Sequence, residues 1–321
     1  MPGQTAFWIP ICNHSELEEY ADHAVDSISI TLNAILLCAA LQLGHSPVAL
    51  GINLVLAVSA FFAAHWAAQR TNSLVFGPVD VTEAQWSMII IHVISGLAGC
   101  TIWDAVIFKN PFLTARKLLC IASACTLSFS ILQNVTVIAG IRATPFEANG
   151  IRIPRTPFSY QPLLAYTVVI TGSILCIKQG LLFITPIPTL LVIGLALGNS
   201  AARLILARLL KLPKASNLSL GSFSPYGLLF LSWLYNDQHN ILRPSIWFIA
   251  MVSIGETIWL HSRAMADLKR IRDLYIFSVR PRAEKAVSRG FYVAGDNLAD
   301  VQRRWKRFED DPARVKSLYN F

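Results

Sequence analysis

Charged side chains are scarce in this sequence. Asp, Glu, Lys and Arg make up 14% of the 321 residues, whereas hydrophobic residues make up 54%. The mean hydropathy is correspondingly high, at +0.50. A soluble domain of this size needs more charged residues to cover its surface. The composition therefore excludes an ordinary soluble domain. It predicts a polytopic membrane protein.

Paired cysteines and a secretory leader are also missing. The six cysteines (12, 38, 100, 120, 125 and 176) include no Cys-x-x-Cys pair, and five of them lie in apolar runs. They are typical of small buried hydrophobic residues and indicate neither a disulfide framework nor a zinc site. Residues 1–12 lack a basic stretch and a continuous apolar core, so no cleavable signal peptide is predicted.

Long apolar runs are what the sequence has in quantity. A helix needs about 20 apolar residues to cross about 30 Å of hydrocarbon. Eight apolar runs are predicted as spans, of which the seventh is short, at residues 24–43, 48–68, 86–107, 118–141, 161–178, 188–209, 222–236 and 244–262. The predicted fold is therefore all-α, with about eight transmembrane helices. The predicted domains are a short polar segment (1–17), a membrane domain (18–277) and a basic cytosolic tail (278–321).

The distribution of positive charge predicts the orientation. Residues 263–321 carry 14 Lys and Arg against 8 Asp and Glu, which is +6 of the chain's net charge of +8. Because positive residues favour the cytosolic side and eight spans return the chain to its starting side, both termini are predicted to face the cytosol.

Residues 265–278 and 299–316 mix apolar and basic residues, as in helices on an anionic membrane surface or in a solvated tail. A tail tethered to a membrane argues against a nucleic-acid partner.

An acidic stripe precedes the first span. Glu18, Asp22 and Asp26 recur every fourth residue, and Glu19 and His23 form a second pair at the same spacing. Like charges one turn apart destabilise a helix, and a divalent cation would relieve this repulsion. The alternative is a solvated acidic helix start, stabilised by the helix dipole. No turn residue separates the stripe from the span, so it continues a membrane helix, where ionisable groups usually mark a functional site.

The same stripe resembles a known family. Asp22 and Asp26 match the final Asp-x3-Asp of the CDP-alcohol phosphatidyltransferase signature, Asp-Gly-x2-Ala-Arg-x8-Gly-x3-Asp-x3-Asp. Further segments look like the eukaryotic choline/ethanolamine phosphotransferases, in the same order: His65-Trp66, Asp80-Val81-Thr82-Glu83-Ala84-Gln85, Trp103-Asp104, Gly227-Leu228-Leu229-Phe230-Leu231 and Tyr235-Asn236. The resemblance extends to about Phe277. The opening Asp-Gly-x2-Ala-Arg is absent, and Glu18 stands where the signature has Gly.

This resemblance implies a phosphotransferase of phospholipid biosynthesis. Such an enzyme transfers phosphocholine or phosphoethanolamine from CDP-choline or CDP-ethanolamine to diacylglycerol and releases CMP. The implied setting is the endoplasmic reticulum or Golgi membrane, with the active site facing the cytosol. By resemblance Asp22 and Asp26 would bind Mg²⁺ or Mn²⁺, and Asp26 is also a candidate base. Glu19 and His23 match the pair suited to deprotonating the lipid acceptor, and an imidazole suits proton transfer at neutral pH.

Two arginines and two histidines complete the candidate residues. Arg203 and Arg208, at the inner end of the sixth span, are candidates for binding the diphosphate, and snorkelling to the interface is the alternative. His65 and His92 lie in or near apolar runs, where a single histidine is usually structural.

The absent half of the signature leaves other functions open. The first alternative is a catalytically silent or truncated relative that serves as a lipid-binding or structural membrane subunit. Although the family that the chain resembles is enzymatic, the chain expressed alone is predicted to be nearly inactive, because the absent segment would supply two further aspartates as metal ligands. A small-molecule transporter is less favoured, since the intramembrane charges cluster at one end and no matched pair of interrupted spans marks an inverted repeat. Head-group choice stays open, as does a homodimer.

Overall fold

The computed structural model describes residues 16–71, 81–107, 113–141, 159–210, 218–235 and 238–272. Within these ranges there is no β-strand, only an isolated bridge between Val106 and Thr114. The helices are α1 (Glu16–Ala40), α2 (Pro47–Thr71), α3 (Val81–Ala98), α4 (Ala115–Ile138), α5 (Gln161–Lys178), α6 (Leu181–Ile184), α7 (Pro186–Leu209), α8 (Ser224–Leu234) and α9 (His239–Arg272). The predicted all-α membrane fold is confirmed.

Among the described helices, six are long and apolar enough to cross a membrane: α1, α2, α4, α5, α7 and α9. Two further predicted spans fall on helices outside this group, namely α3 with 18 residues and α8 with 11. At 1.5 Å per residue, α8 covers roughly 16 Å, about half of the hydrocarbon thickness. The number of eight spans therefore stays a prediction.

The third span ends earlier than predicted. Residues 86–107 were expected to form one helix, but α3 ends at Ala98 and a 3₁₀ turn follows at Cys100–Asp104. Gly99 between them has a φ of 82° and a ψ of 152°, a backbone conformation that glycine adopts without strain. The turn is held by Trp103, whose Nε1 donates to Ser95 Oγ at 2.8 Å, and by an ion pair of 2.8 Å between Asp104 and Arg116.

Residues 19–263 form one compact unit, and residues 1–18 with 264–321 form a second. Of the second unit, only residues 16–18 and 264–272 are described. The predicted polar segment therefore lies almost entirely outside the described residues, and the predicted tail lies wholly outside them.

Helix α7 is the core of the larger unit. Most of its residues are buried, and it packs against α2, α5 and α8. Small residues also let α1 approach it closely. A Cβ atom on Gly198 would lie 2.8 Å from the backbone carbonyl oxygen of Ser27, and a Cβ atom on Gly194 would overlap the side chain of Thr31. Such contacts between small residues are how membrane helices pack without a hydrophobic driving force.

Candidate functional site

Helix α1 separates its residues onto two faces. Tyr20, Ala24 and Ser27 are buried and lie along one side. Glu19, Asp22, His23 and Asp26 lie along the other, because residues three and four apart in a helix share a face. The packing of α1 against α7 therefore fixes the direction in which the acidic stripe points.

Asp22, His23 and Asp26 come together as predicted from their spacing. One ligand atom from each lies within 4.8 Å of the others, and His23 Nδ1 is 3.6 Å from Asp26 Oδ2. The His23 side chain is only 12% exposed, whereas that of Asp26 is 42% exposed. Two donor atoms on opposite sides of a Mg²⁺ ion lie about 4.2 Å apart, so small side-chain rotations would bring all three to a cation.

Glu19 has a different partner from the predicted one. Its carboxylate accepts a hydrogen bond from Arg208 in the last turn of α7. The carboxylate beside His23 is that of Asp26. The structure thus joins two predicted site residues, Glu19 and Arg208, in one ion pair.

Arg203 pairs with a carboxylate that the sequence did not indicate. Its guanidinium lies 3.7 Å from Glu256 on α9, and both side chains are less than 20% exposed. Gly221 supplies the space for Glu256, because a Cβ atom there would overlap the carboxylate. Arg203 therefore lies within the helix packing, which argues against simple snorkelling to the interface.

His65 was expected to be structural, but it lies against the acidic stripe. Its ring makes an edge contact with that of His23, with 4.5 Å between centroids, and Phe61 packs against it at 4.4 Å. It is 2% exposed. His92 fits the structural expectation, since its Nδ1 lies 2.7 Å from the Met88 carbonyl on an exposed face of α3.

Two further polar pairs behind the stripe were missed by the sequence reasoning. Tyr20 hydrogen-bonds to His261 at 3.0 Å, and Asn199 Nδ2 donates to Thr257 Oγ1 at 3.0 Å. All four residues are buried. The only sequence signal for them was the presence of polar residues inside apolar spans, which does not say which ones meet.

Comparison with known proteins is consistent with the motifs. No family model matches the chain. It is 27% identical to cholinephosphotransferase 1 of Bos taurus over 274 residues, which are 82% of this chain and 64% of that protein. It is 24% identical to cholinephosphotransferase 1 of Danio rerio over 285 residues, covering 84% and 69%.

A shorter match names the wider family. An uncharacterized CDP-alcohol phosphatidyltransferase class-I family protein 2 of Dictyostelium discoideum is 34% identical over 90 residues, or 28% of this chain and 22% of that protein. The chain spans less than two thirds of the bovine relative. The predicted resemblance is confirmed: over most of its length this chain is similar to cholinephosphotransferases, which are CDP-alcohol phosphatidyltransferases.

Proposed function

We propose that this chain carries the membrane domain of a CDP-alcohol phosphotransferase. The enzyme transfers phosphocholine or phosphoethanolamine from the CDP-activated alcohol to diacylglycerol. The observation that carries the proposal is the convergence of Asp22, His23 and Asp26, one helix turn from the ion pair of Glu19 and Arg208, in a chain similar to cholinephosphotransferases. The reaction takes place in a multi-pass membrane protein of the endoplasmic reticulum or Golgi, with the site facing the cytosol.

The donor atoms fit a divalent cation. Two carboxylates are the hard oxygen ligands that Mg²⁺ and Mn²⁺ prefer. Asp22 and Asp26 would hold the ion, which would neutralise charge on the diphosphate when bound. His23 Nδ1 has no hydrogen-bond partner among the described residues, so this nitrogen is available for a ligand or a proton.

His23 is the proposed base. The hydroxyl of diacylglycerol attacks the β-phosphorus, its proton passes to the imidazole, and the bond from that phosphorus to the bridging oxygen breaks. CMP leaves with the bridging oxygen, and the phospholipid stays in the bilayer. The negative charge of Asp26, whose Oδ2 lies 3.6 Å from Nδ1, would stabilise the imidazolium that forms.

Arg203 and Arg208 are the proposed diphosphate contacts. Both are largely buried, where a guanidinium interacts strongly with phosphate oxygens. Each is paired with a carboxylate, Glu256 or Glu19, and each Nε has no hydrogen-bond partner among the described residues. The paired carboxylates keep the arginines in place before the nucleotide arrives.

Binding of Mn²⁺ tests the proposal. Electron paramagnetic resonance of the purified protein should show weak Mn²⁺ binding that strengthens at least about tenfold with CDP-choline or CDP-ethanolamine, because the diphosphate adds ligands. Asp22→Asn should abolish this increase. Glu83→Gln, on an exposed part of α3, is the matched control and should leave it intact.

The results of the Mn²⁺ binding experiment distinguish the enzyme from a catalytically silent relative. If the nucleotide does not strengthen Mn²⁺ binding, the chain is a silent relative and the proposal fails. Whichever of CDP-choline and CDP-ethanolamine strengthens Mn²⁺ binding more identifies the head group that the site accepts.

A further inference from the structure

No hydrogen bond at Nδ1 holds the imidazole of His23 in place. This nitrogen has no hydrogen-bond partner among the described residues, and Asp26 Oδ2, at 3.6 Å, lies beyond hydrogen-bond distance. The outer torsion of a histidine side chain has a broad range of allowed angles, so the side chain alone does not fix the ring. A general base must nevertheless point at the proton that it takes, within about 10–20°. Another contact must therefore set the orientation of this ring.

The ring of His65, on α2, makes that contact. The centroids of the two imidazoles lie 4.5 Å apart, and their planes meet at 68°. This is the edge-to-face arrangement that aromatic rings favour. The side chain of His23 is 12% exposed and His65 is 2% exposed. Because protein interiors are closely packed, a ring in such a place turns only if its neighbours move.

His65 is itself held by a third ring. Phe61 lies one turn earlier on α2, and its ring centroid is 4.4 Å from that of His65, at 66° between the planes. Residues four apart in a helix lie side by side, so this contact is built into α2. Helix α2 in turn packs against α4 and α7. Ring contacts thus lead from a packed helix through Phe61 and His65 to His23.

We propose that His65 is the positioning residue of His23. Its ring holds the imidazole in the orientation in which Nδ1 faces Asp26. The inference rests on the proposed function in taking His23 as the base. In this role His65 acts only through His23, and it neither binds the metal nor transfers a proton. Its loss should therefore leave Mn²⁺ and nucleotide binding in place while the base turns away from Asp26.

Solid-state NMR of the purified full chain in lipid bilayers measures this orientation. With ¹⁵N in the histidine rings and ¹³C in the aspartate carboxyl groups, the dipolar coupling between them falls with the cube of their distance. The unmodified chain should show a coupling that His23→Asn removes, which assigns it to His23. His65→Leu should remove most of this coupling. His65→Phe keeps a ring against His23 and removes an unpaired buried nitrogen, so it should retain the coupling and be at least as stable.

Two further variants control for folding. Phe61→Leu changes the ring behind His65 and should weaken the same coupling while the direct neighbour of His23 stays in place. His92→Leu makes the matched substitution on an exposed part of α3 and should change nothing. Unchanged coupling in both His65→Leu and Phe61→Leu would overturn the proposal. So would equal loss in His65→Leu and His65→Phe, because the ring would then not be what positions His23.

The kinetics of the transfer reaction give a second measurement. His65→Leu should lower kcat at least about tenfold, since small misplacements of a reacting group cost up to about 10²-fold, and should change KM for the CDP-alcohol less than about threefold. His65→Phe should restore kcat. A raised KM with unchanged kcat would overturn the proposal, because it would mean a role in substrate binding. In a chain without turnover, the NMR coupling alone decides.

The two proposals fail separately. If the nucleotide does not strengthen Mn²⁺ binding, the proposed function is lost, whereas the NMR coupling still tests whether His65 orients His23. If the nucleotide strengthens Mn²⁺ binding but the coupling does not depend on His65, only the positioning role is lost.

Discussion

The hydroxyl of Tyr20 and Nδ1 of His261, separated by 241 residues in the sequence, lie 3.0 Å apart in a buried hydrogen bond. It joins α1 to α9. Tyr20 directly follows Glu19 and stands one turn before His23, so this bond helps to fix the rotation of the helix that presents the acidic stripe. The other ring nitrogen of His261 has no hydrogen-bond partner among the described residues.

Removing the Tyr20 hydroxyl should destabilise the protein. Tyr20→Phe leaves Nδ1 of His261 buried without a partner, at a cost of about 0.5–1.5 kcal/mol. Thermal unfolding of the protein in a mild detergent measures this loss of stability. Adding His261→Leu should cost less than the sum of the single changes, because no polar atom is then left unpaired. Strict additivity of the two variants would show that the bond contributes nothing.

The close approach of α1 and α7 should not tolerate a methyl group. Gly198→Ala would place a carbon 2.8 Å from the Ser27 carbonyl oxygen, and a backbone atom cannot rotate away. We expect a loss of about 1–3 kcal/mol and weaker Mn²⁺ binding, because Asp26 is next to Ser27. Gly255→Ala is the control, since nothing lies within 4 Å of its Cβ position, and it should be neutral or stabilise α9 by up to about 1 kcal/mol. Equal behaviour of the two variants would contradict the packing of α1 on α7.

Variants of the ion pair between Arg203 and Glu256 should distinguish a structural role of Arg203 from a role in nucleotide binding. Glu256→Gln leaves a largely buried guanidinium without its counter-charge and should cost about 1–3 kcal/mol. The double variant Arg203→Gln with Glu256→Gln should recover part of this stability. It should nevertheless bind CDP-choline at least about tenfold more weakly, as expected if Arg203 contacts the diphosphate. Unchanged nucleotide affinity in the double variant would limit Arg203 to a structural role.

The predicted orientation can be tested with epitope tags at the two ends of the chain. In sealed microsomes, added protease should digest both tags, because the positive tail favours the cytosol and an even number of spans returns the chain to the same side. Six spans and eight predict the same result. Opposite protection of the tags would require an odd number of spans and would place the acidic stripe or the basic tail on the other side.

The sequence by itself determined the fold class and the helix face on which the acidic stripe lies. Apolar runs of membrane length predicted helices, because a backbone in hydrocarbon must satisfy its own hydrogen bonds. The four-residue spacing of Asp22 and Asp26 placed them on one face, because that relationship is local to a helix. The same stripe carried the family resemblance that the comparisons confirmed.

Only the tertiary structure decided which polar residues meet. His65 and His261 lie tens to hundreds of residues from His23 and Tyr20, which they contact on α1, and Glu256 is similarly distant in sequence from Arg203. Their apolar neighbours look the same whether a polar side chain faces lipid or another helix. The rotation of each helix about its axis makes that choice, and close contacts such as Gly198 with Ser27 set the rotation. For the same reason the sequence paired Glu19 with His23, its neighbour on the helix, whereas packing brought Arg208 to Glu19.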